Sequence, residues 1–207
     1  MLEILGRSSS INVRKVLWVC AEIDQPYRQE QWGTGFRSTN TPEFLALNPN
    51  GLVPVIRDGS FVLWESNAIC RYLASKHGRD DLLPREVGSR AVVEQWMDWQ
   101  ATELNDAWRY AFMGLVRKSP KHGDPSAIAD SVDQWNRRMT LLDAQIQHTG
   151  AYAASETFTL ADIGIGLATH RWFATPMDRP ALPAVEAYYE RLSERPAFRD
   201  LARNGPP

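Results

Sequence analysis

The chain is poor in cysteine. Only Cys20 and Cys70 occur in 207 residues. Two cysteines without a recognisable secretory leader argue against a disulfide-stapled fold and point to a reducing compartment. The start, Met1-Leu2-Glu3-Ile4-Leu5-Gly6-Arg7, lacks the charged beginning and long apolar centre of a signal peptide. A cytoplasmic location is therefore expected. No run of roughly 18 apolar residues is present, so no membrane-spanning helix is expected. Net positive charge is missing too: the formal charge is -2 and the pI about 6.1, which removes the electrostatic footprint of a nucleic-acid binder. The four histidines (His77, His122, His148, His170) are scattered without metal-ligand spacing, and no metal cofactor is expected.

What is present is enough apolar material for a substantial core, 43% of residues. Strand and helix signals alternate in the first part. Leu2–Leu5 is a short apolar run closed by Gly6. Ser8-Ser9-Ser10 then supplies turn and cap residues. Apolar residues from Ile11 to Ile23 recur at helical spacing, and Tyr27–Gln31 reads as a second strand. Pro42–Leu47 is a short helix with Thr41 as its cap and Pro42 at its first position. Val53–Ile56 and Phe61–Leu63 flank Asp58-Gly59, a hairpin signal. Glu65–His77 is helical and ends at Gly78.

Residues 79–84 break this pattern and read as a linker. Beyond them the chain is helical: Arg85–Lys118, Pro125–His148, a helix starting near Thr159, Pro183–Leu192, and a short piece after Pro196. Two strands joined by a helix should run parallel with a right-handed crossover. Adding the hairpin gives a four-stranded mixed sheet. The expected architecture is an α/β thioredoxin-like domain at 1–78, a linker at 79–84 and an all-α domain at 85–207.

Two places in the first domain point to a ligand. Asn48-Pro49-Asn50-Gly51-Leu52-Val53-Pro54-Val55 sets a proline where a strand begins. Glu65-Ser66-Asn67 sets an acid and a hydroxyl where a helix begins. Backbone groups at both can turn outward toward a small molecule, and a helix N-terminus favours anions. For Glu65 and Ser66 taken alone, plain helix capping is the simpler explanation.

With Val53-Pro54 before a hairpin, Glu65-Ser66 at a helix start and Thr159-Leu160-Ala161-Asp162 in the helical part, the chain resembles the cytosolic glutathione transferases over essentially its whole length. The resemblance implies a cis peptide bond at Pro54, with the Val53 N–H and C=O pairing with the cysteinyl unit of glutathione as an added strand. It implies that Ser66 and Glu65 hold the γ-glutamyl carboxylate and ammonium, and that Asn50 reaches the glycyl end. It also implies a homodimer acting in detoxification, with glutathione as co-substrate.

The thiol-activating group in this family is a Tyr, Ser or Cys after the first strand. Arg7 and Ser8 occupy that region, so neither tyrosine nor cysteine is available. Ser8, Ser9 and Ser10 remain. The serine-type pattern sets the hydroxyl four residues before a basic residue. Ser10 stands four before Arg14, which favours Ser10 with Asn12 as a second donor and Ser9 as the alternative. A free thiol with a pKa of about 8.5 is about 3% ionised at neutral pH, and lowering that pKa by about two units takes about 2.7 kcal/mol. Hydrogen-bond donors and a helix N-terminus can supply it.

The second substrate is expected to be an apolar electrophile. Trp108, Phe112 and Trp172 are the pocket candidates among aromatics that mostly serve as core. Two other activities fit the same residues: glutathione-dependent disulfide reduction, and a non-catalytic binding module. Thr159 and Asp162 read as a capping box with Phe158 and Ile163 as its staple, a folding signal. Cys20 and Cys70 lie on apolar helix faces and read as small core residues.

Overall fold

A computed structural model describes residues 1–203; the last four residues of the expected helical domain, 204–207, lie outside it. The chain divides into two compact units, Met1–Pro84 and Arg85 onward.

In the first unit the order is β1 (Leu2–Leu5), α1 (Ile11–Glu22), β2 (Tyr27–Glu30), α2 (Pro42–Leu45), β3 (Val55–Asp58), β4 (Phe61–Trp64) and α3 (Ser66–Lys76). The sheet order is β2-β1-β3-β4. β1 pairs parallel with β2, Leu2 opposite Tyr27, and antiparallel with β3, Leu5 opposite Val55. β3 and β4 form the expected hairpin around Gly59, whose φ of 63° suits a two-residue turn. β3 begins at Val55, two residues later than the apolar run suggests. Pro54 has no N–H to give to a ladder, so pairing starts after it.

α1 and α3 pack against each other. Leu5, Trp32, Phe44 and Val55 make a buried cluster on which Val53 is packed, with the Trp32 and Phe44 rings 4.9 Å apart. Thr41 caps α2 as expected, its hydroxyl accepting the Phe44 N–H at 3.3 Å. Residues 79–84 group with this unit. The Arg79 N–H donates to the Ala74 carbonyl at 3.0 Å, and its guanidinium donates to the Glu22 carbonyl.

The second unit is helical: α4 (Val87–Trp99), a π-helical segment (Gln100–Leu104), α5 (Asn105–Leu115), α6 (Pro125–Thr149), α7 (Leu160–Ala174), α8 (Pro183–Ser193) and α9 (Pro196–Leu201), with one 3-10 turn at Pro120–His122. The single helix expected over Arg85–Lys118 thus carries a wide turn in its middle. There the Asn105 side chain accepts from Gln100 at 2.9 Å and from the Trp108 indole at 3.0 Å, and donates to the Ala101 carbonyl at 3.2 Å. Apolar spacing does not distinguish such a turn from an α-turn.

α7 is the central helix. Every residue from Leu160 to Trp172 is buried, so it is covered on all sides. The capping box at its start is formed: the Asp162 carboxylate accepts the Thr159 N–H at 2.8 Å. The same carboxylate also takes the Ala153 N–H at 2.9 Å and the Tyr188 hydroxyl at 3.2 Å, tying three segments together. Among the described residues no helix is long and apolar enough to cross a membrane.

Candidate active site

The site begins at Gly6, where β1 ends. Its φ is 153°, and a Cβ there would sit 2.5 Å from Val13 Cγ2 and 3.0 Å from Val53 Cβ. Only glycine lets the end of β1, the first turns of α1 and the Val53 segment approach so closely. In the sequence Gly6 reads as a strand end, and its position directly after an apolar run is the signal for it.

The chain turns at Arg7–Ser10, the Ser10 N–H donating to the Arg7 carbonyl at 3.1 Å. The three candidate serines then differ. Ser8 Oγ accepts from Gln29 at 3.1 Å and Gln31 at 3.4 Å, and its carbonyl takes Arg14 Nε at 2.9 Å. Ser9 is exposed. Ser10 is the N-cap residue of α1, half-buried, and its hydroxyl makes no capping hydrogen bond. Asn12 follows in the first turn of α1. The first turns of α1 and α3 contain no acidic side chain, so the positive ends of both helix dipoles stay uncompensated from within.

The second side of the site is the 48–54 loop. Asn48 is 2% exposed and anchors it. Its amide donates to the Leu52 carbonyl at 2.8 Å, while its Oδ1 accepts the Asn50 N–H at 3.1 Å and Asn50 Nδ2 at 3.0 Å. Gly51, with φ 63°, allows the reversal. The Val53–Pro54 bond is cis. Among the described residues the Val53 N–H and C=O enter no backbone hydrogen bond, so both stay available to an extended ligand.

Glu65 closes the third side. At φ 73° and ψ 111° it sits in backbone space that non-glycine residues rarely adopt, at a cost of about 1–3 kcal/mol. It precedes α3 but makes no side-chain capping bond, and it is exposed. Capping therefore does not account for this acid. Ser66 beside it is 6% exposed.

These parts enclose a cavity of about 50 Å³ lined by Asn12, Asn48, Leu52, Val53, Pro54, Glu65 and Ser66. Five residues singled out in the sequence meet there: Asn12, Val53, Pro54, Glu65 and Ser66. Ser10 stands outside the lining, at the entrance to the helix that carries Asn12. Asn50 is also outside it, its amide spent on Asn48. Asn48 and Leu52 are additions; the Asn-Pro-Asn-Gly turn chemistry was the signal that could have shown Asn48. A space of this size is enough for one polar end of a ligand. A helix N-terminus, a buried hydroxyl and a carboxylate suit an amino-acid head group with both of its charges.

In the helical unit Trp108, Phe112 and Trp172 are 9%, 3% and 1% exposed. Trp108 meets Phe112 edge-on at 5.4 Å, and the Arg171 guanidinium lies 4.3 Å and 4.1 Å from those two ring centres. The Trp172 indole donates to Asn136 Oδ1 at 2.9 Å. All three rings are buried, and the Trp108 indole N–H, like that of Trp172, has a hydrogen-bond partner. An open hollow of about 540 Å³ lies elsewhere in this unit, along α7 and α8, with Phe173 and Tyr189 in its wall. His170 Nδ1 is 2.9 Å from the Tyr189 hydroxyl, and Arg203 pairs with Glu190 at 3.3 Å.

Cys20 and Cys70 are buried and unbridged. Burial pushes both thiols up to about 12, so neither is a ready nucleophile. Among the described residues no group of His, Cys, Asp or Glu is arranged to hold a metal.

Residues 9–76 match the family model of the glutathione S-transferase N-terminal domain. Over 203 residues the chain is 39% identical to glutathione S-transferase GstB of Escherichia coli K12, covering 97% of each. It is 33% identical to glutathione S-transferase 3 of Zea mays, covering 95% of this chain and 91% of the maize protein. Among solved structures it superposes with a TM-score of 0.91 and 38% identity on a theta class glutathione S-transferase of Xanthomonas axonopodis pv. citri with glutathione bound, covering 99% of this chain and 98% of the other. With a four-stranded thioredoxin-like sheet, a helical second unit and relatives this similar over nearly full length, the chain belongs to the glutathione S-transferase family.

Proposed function

We propose that the protein is a serine-type glutathione transferase that binds glutathione on its first unit and directs the thiolate at an apolar electrophile. One observation carries the reading: Asn12, the unpaired Val53 peptide, Glu65 and Ser66 surround one small cavity at two helix N-termini. The γ-glutamyl head enters that cavity. Its carboxylate lies at Ser66 and the α3 N-terminus, and its ammonium meets Glu65. The cysteinyl unit pairs with Val53 as a short added strand. Its sulfur then lies toward the start of α1. The Ser10 hydroxyl and the Asn12 amide donate to the thiolate, as donors do in an oxyanion hole, and Ser10 keeps its own proton. Asn50, engaged with Asn48, would have to turn outward to meet the glycyl carboxylate.

The thiolate attacks the electrophilic carbon, a carbon–sulfur bond forms, and the leaving group departs with its electron pair. Trp108, Phe112 and Trp172 are the aromatic candidates for contact with the electrophile, and Trp108 is the least buried of them. A homodimer in the cytoplasm belongs to the same reading. Calorimetry with glutathione tests it, with the protein's mass measured by light scattering on the same sample. Saturable binding of one glutathione per chain, to a particle of twice the chain mass, is expected. Absence of saturable binding sinks the enzyme reading, and a monomeric mass sinks the dimer.

A further inference from the structure

Lys15 is 2% exposed, although a lysine is almost never fully buried unless its charge is matched. It lies on α1, three residues after Asn12, so the two side chains share one face of that helix. Its ammonium donates to Asn67 Oδ1 at 3.3 Å. Asn67 follows Ser66 directly, in the first turn of α3. One buried cation therefore links the helix that carries Ser10 and Asn12 to the helix start that carries Glu65 and Ser66. The Lys15 charge is also felt by the Cys70 thiol on α3, as is that of Arg71.

We infer that Lys15 is a positioning residue for the thiol chemistry: it holds the α3 start in register with α1 and adds a fixed positive charge behind the anion-binding side of the cavity. The inference rests on the glutathione-binding reading above. Two physical points support it. Burial keeps solvent and salt from screening the charge, so it is felt at the site more strongly than a surface lysine would be. The bond to Asn67 restrains the turn in which Glu65 holds its unusual backbone angles, and those angles fix where the carboxylate points.

The test compares wild type with Lys15→Met, Lys15→Arg and Asn67→Leu. The readouts are the pKa of bound glutathione, from its ultraviolet thiolate absorbance, and the glutathione KM. Lys15→Met is expected to raise the thiol pKa by about half to one unit and the KM about tenfold. Lys15→Arg should restore most of the pKa, because it restores the charge. Asn67→Leu should raise KM with a smaller effect on pKa, because it cuts the tether and leaves the cation. A folded Lys15→Met variant with wild-type pKa and KM overturns the inference. If Lys15→Met does not fold, Asn67→Leu decides: unchanged KM overturns the tether, and raised KM upholds it. If wild type itself binds no glutathione, the functional reading fails first; if it binds and the variants behave as wild type, only the role of Lys15 fails.

Discussion

Glu65 shows most clearly what a single residue contributes. Its positive φ is a cost that glycine would not bear, and its side chain returns no capping bond. If the acid is held there to meet an ammonium, Glu65→Gly should separate stability from function. The variant is expected to melt at or slightly above the wild-type temperature. Its affinity for glutathione should fall by about 1.5–3 kcal/mol, the range of a hydrogen bond to a charged group. A variant that is less stable yet binds normally would mean that Glu65 serves the fold. Residue identities made this position legible in the sequence; the strained backbone was not, because a Glu before a helix ordinarily reads as a cap. Lys15 is hidden in the sequence for a related reason. A lysine within a helical pattern reads as solvated, and only the packing of α1 on α3 shows that it is covered. Spacing to Arg14 singles out Ser10 in the sequence. The structure adds that its hydroxyl is uncommitted while that of Ser8 is engaged by Gln29 and Gln31.

At the scale of elements, apolar periodicity and turn chemistry located every strand and most helices to within a few residues. They did so where an element has one clear buried face, as in β1, or a strong punctuation mark such as Asp58-Gly59 or Pro125. Periodicity failed where backbone register changes without a change in pattern, as in the wide turn at Gln100–Leu104. The capping box on α7 was legible as a motif, but its reach was not. Asp162 also accepts from Ala153 and Tyr188, so one carboxylate joins the loop before α7, α7 itself and α8.

Complete burial pushes that acid up to about 6, against the pull of its hydrogen bonds from the Ala153 and Thr159 amides and the Thr159 and Tyr188 hydroxyls. The folded state then holds this proton more tightly than the unfolded state. The stability from protonation is fully present below about 3.8 and is lost as pH rises through about 6. Asp162→Asn should be less stable at every pH, because an amide nitrogen cannot accept the Thr159 N–H. The gap between wild type and variant should be widest near the lower end of that window and narrow through its upper end. A gap that is constant across a pH series of thermal melts would show that Asp162 titrates alike in both states.

For the whole molecule, the sequence shows an α/β unit followed by helices, and the contacts divide the chain after Pro84. The site draws on three separate stretches of the first unit, 6–12, 48–54 and 65–67. Gly6 permits the close approach of the first two, and only its place directly after an apolar run hints at this in the sequence. The electrophile side was the least legible. Aromatic residues at helical spacing serve core and pocket alike, and Trp172, fully buried, shows how strongly the core can claim them.

The proposed role of Ser10 is to stabilise a glutathione thiolate. Ultraviolet titration of bound glutathione tests it most directly. The bound thiol pKa is expected about two units below the free value of about 8.5, rising by about one unit in Ser10→Ala. A bound thiol that titrates like the free one, or a Ser10→Ala variant that titrates like wild type, would contradict it.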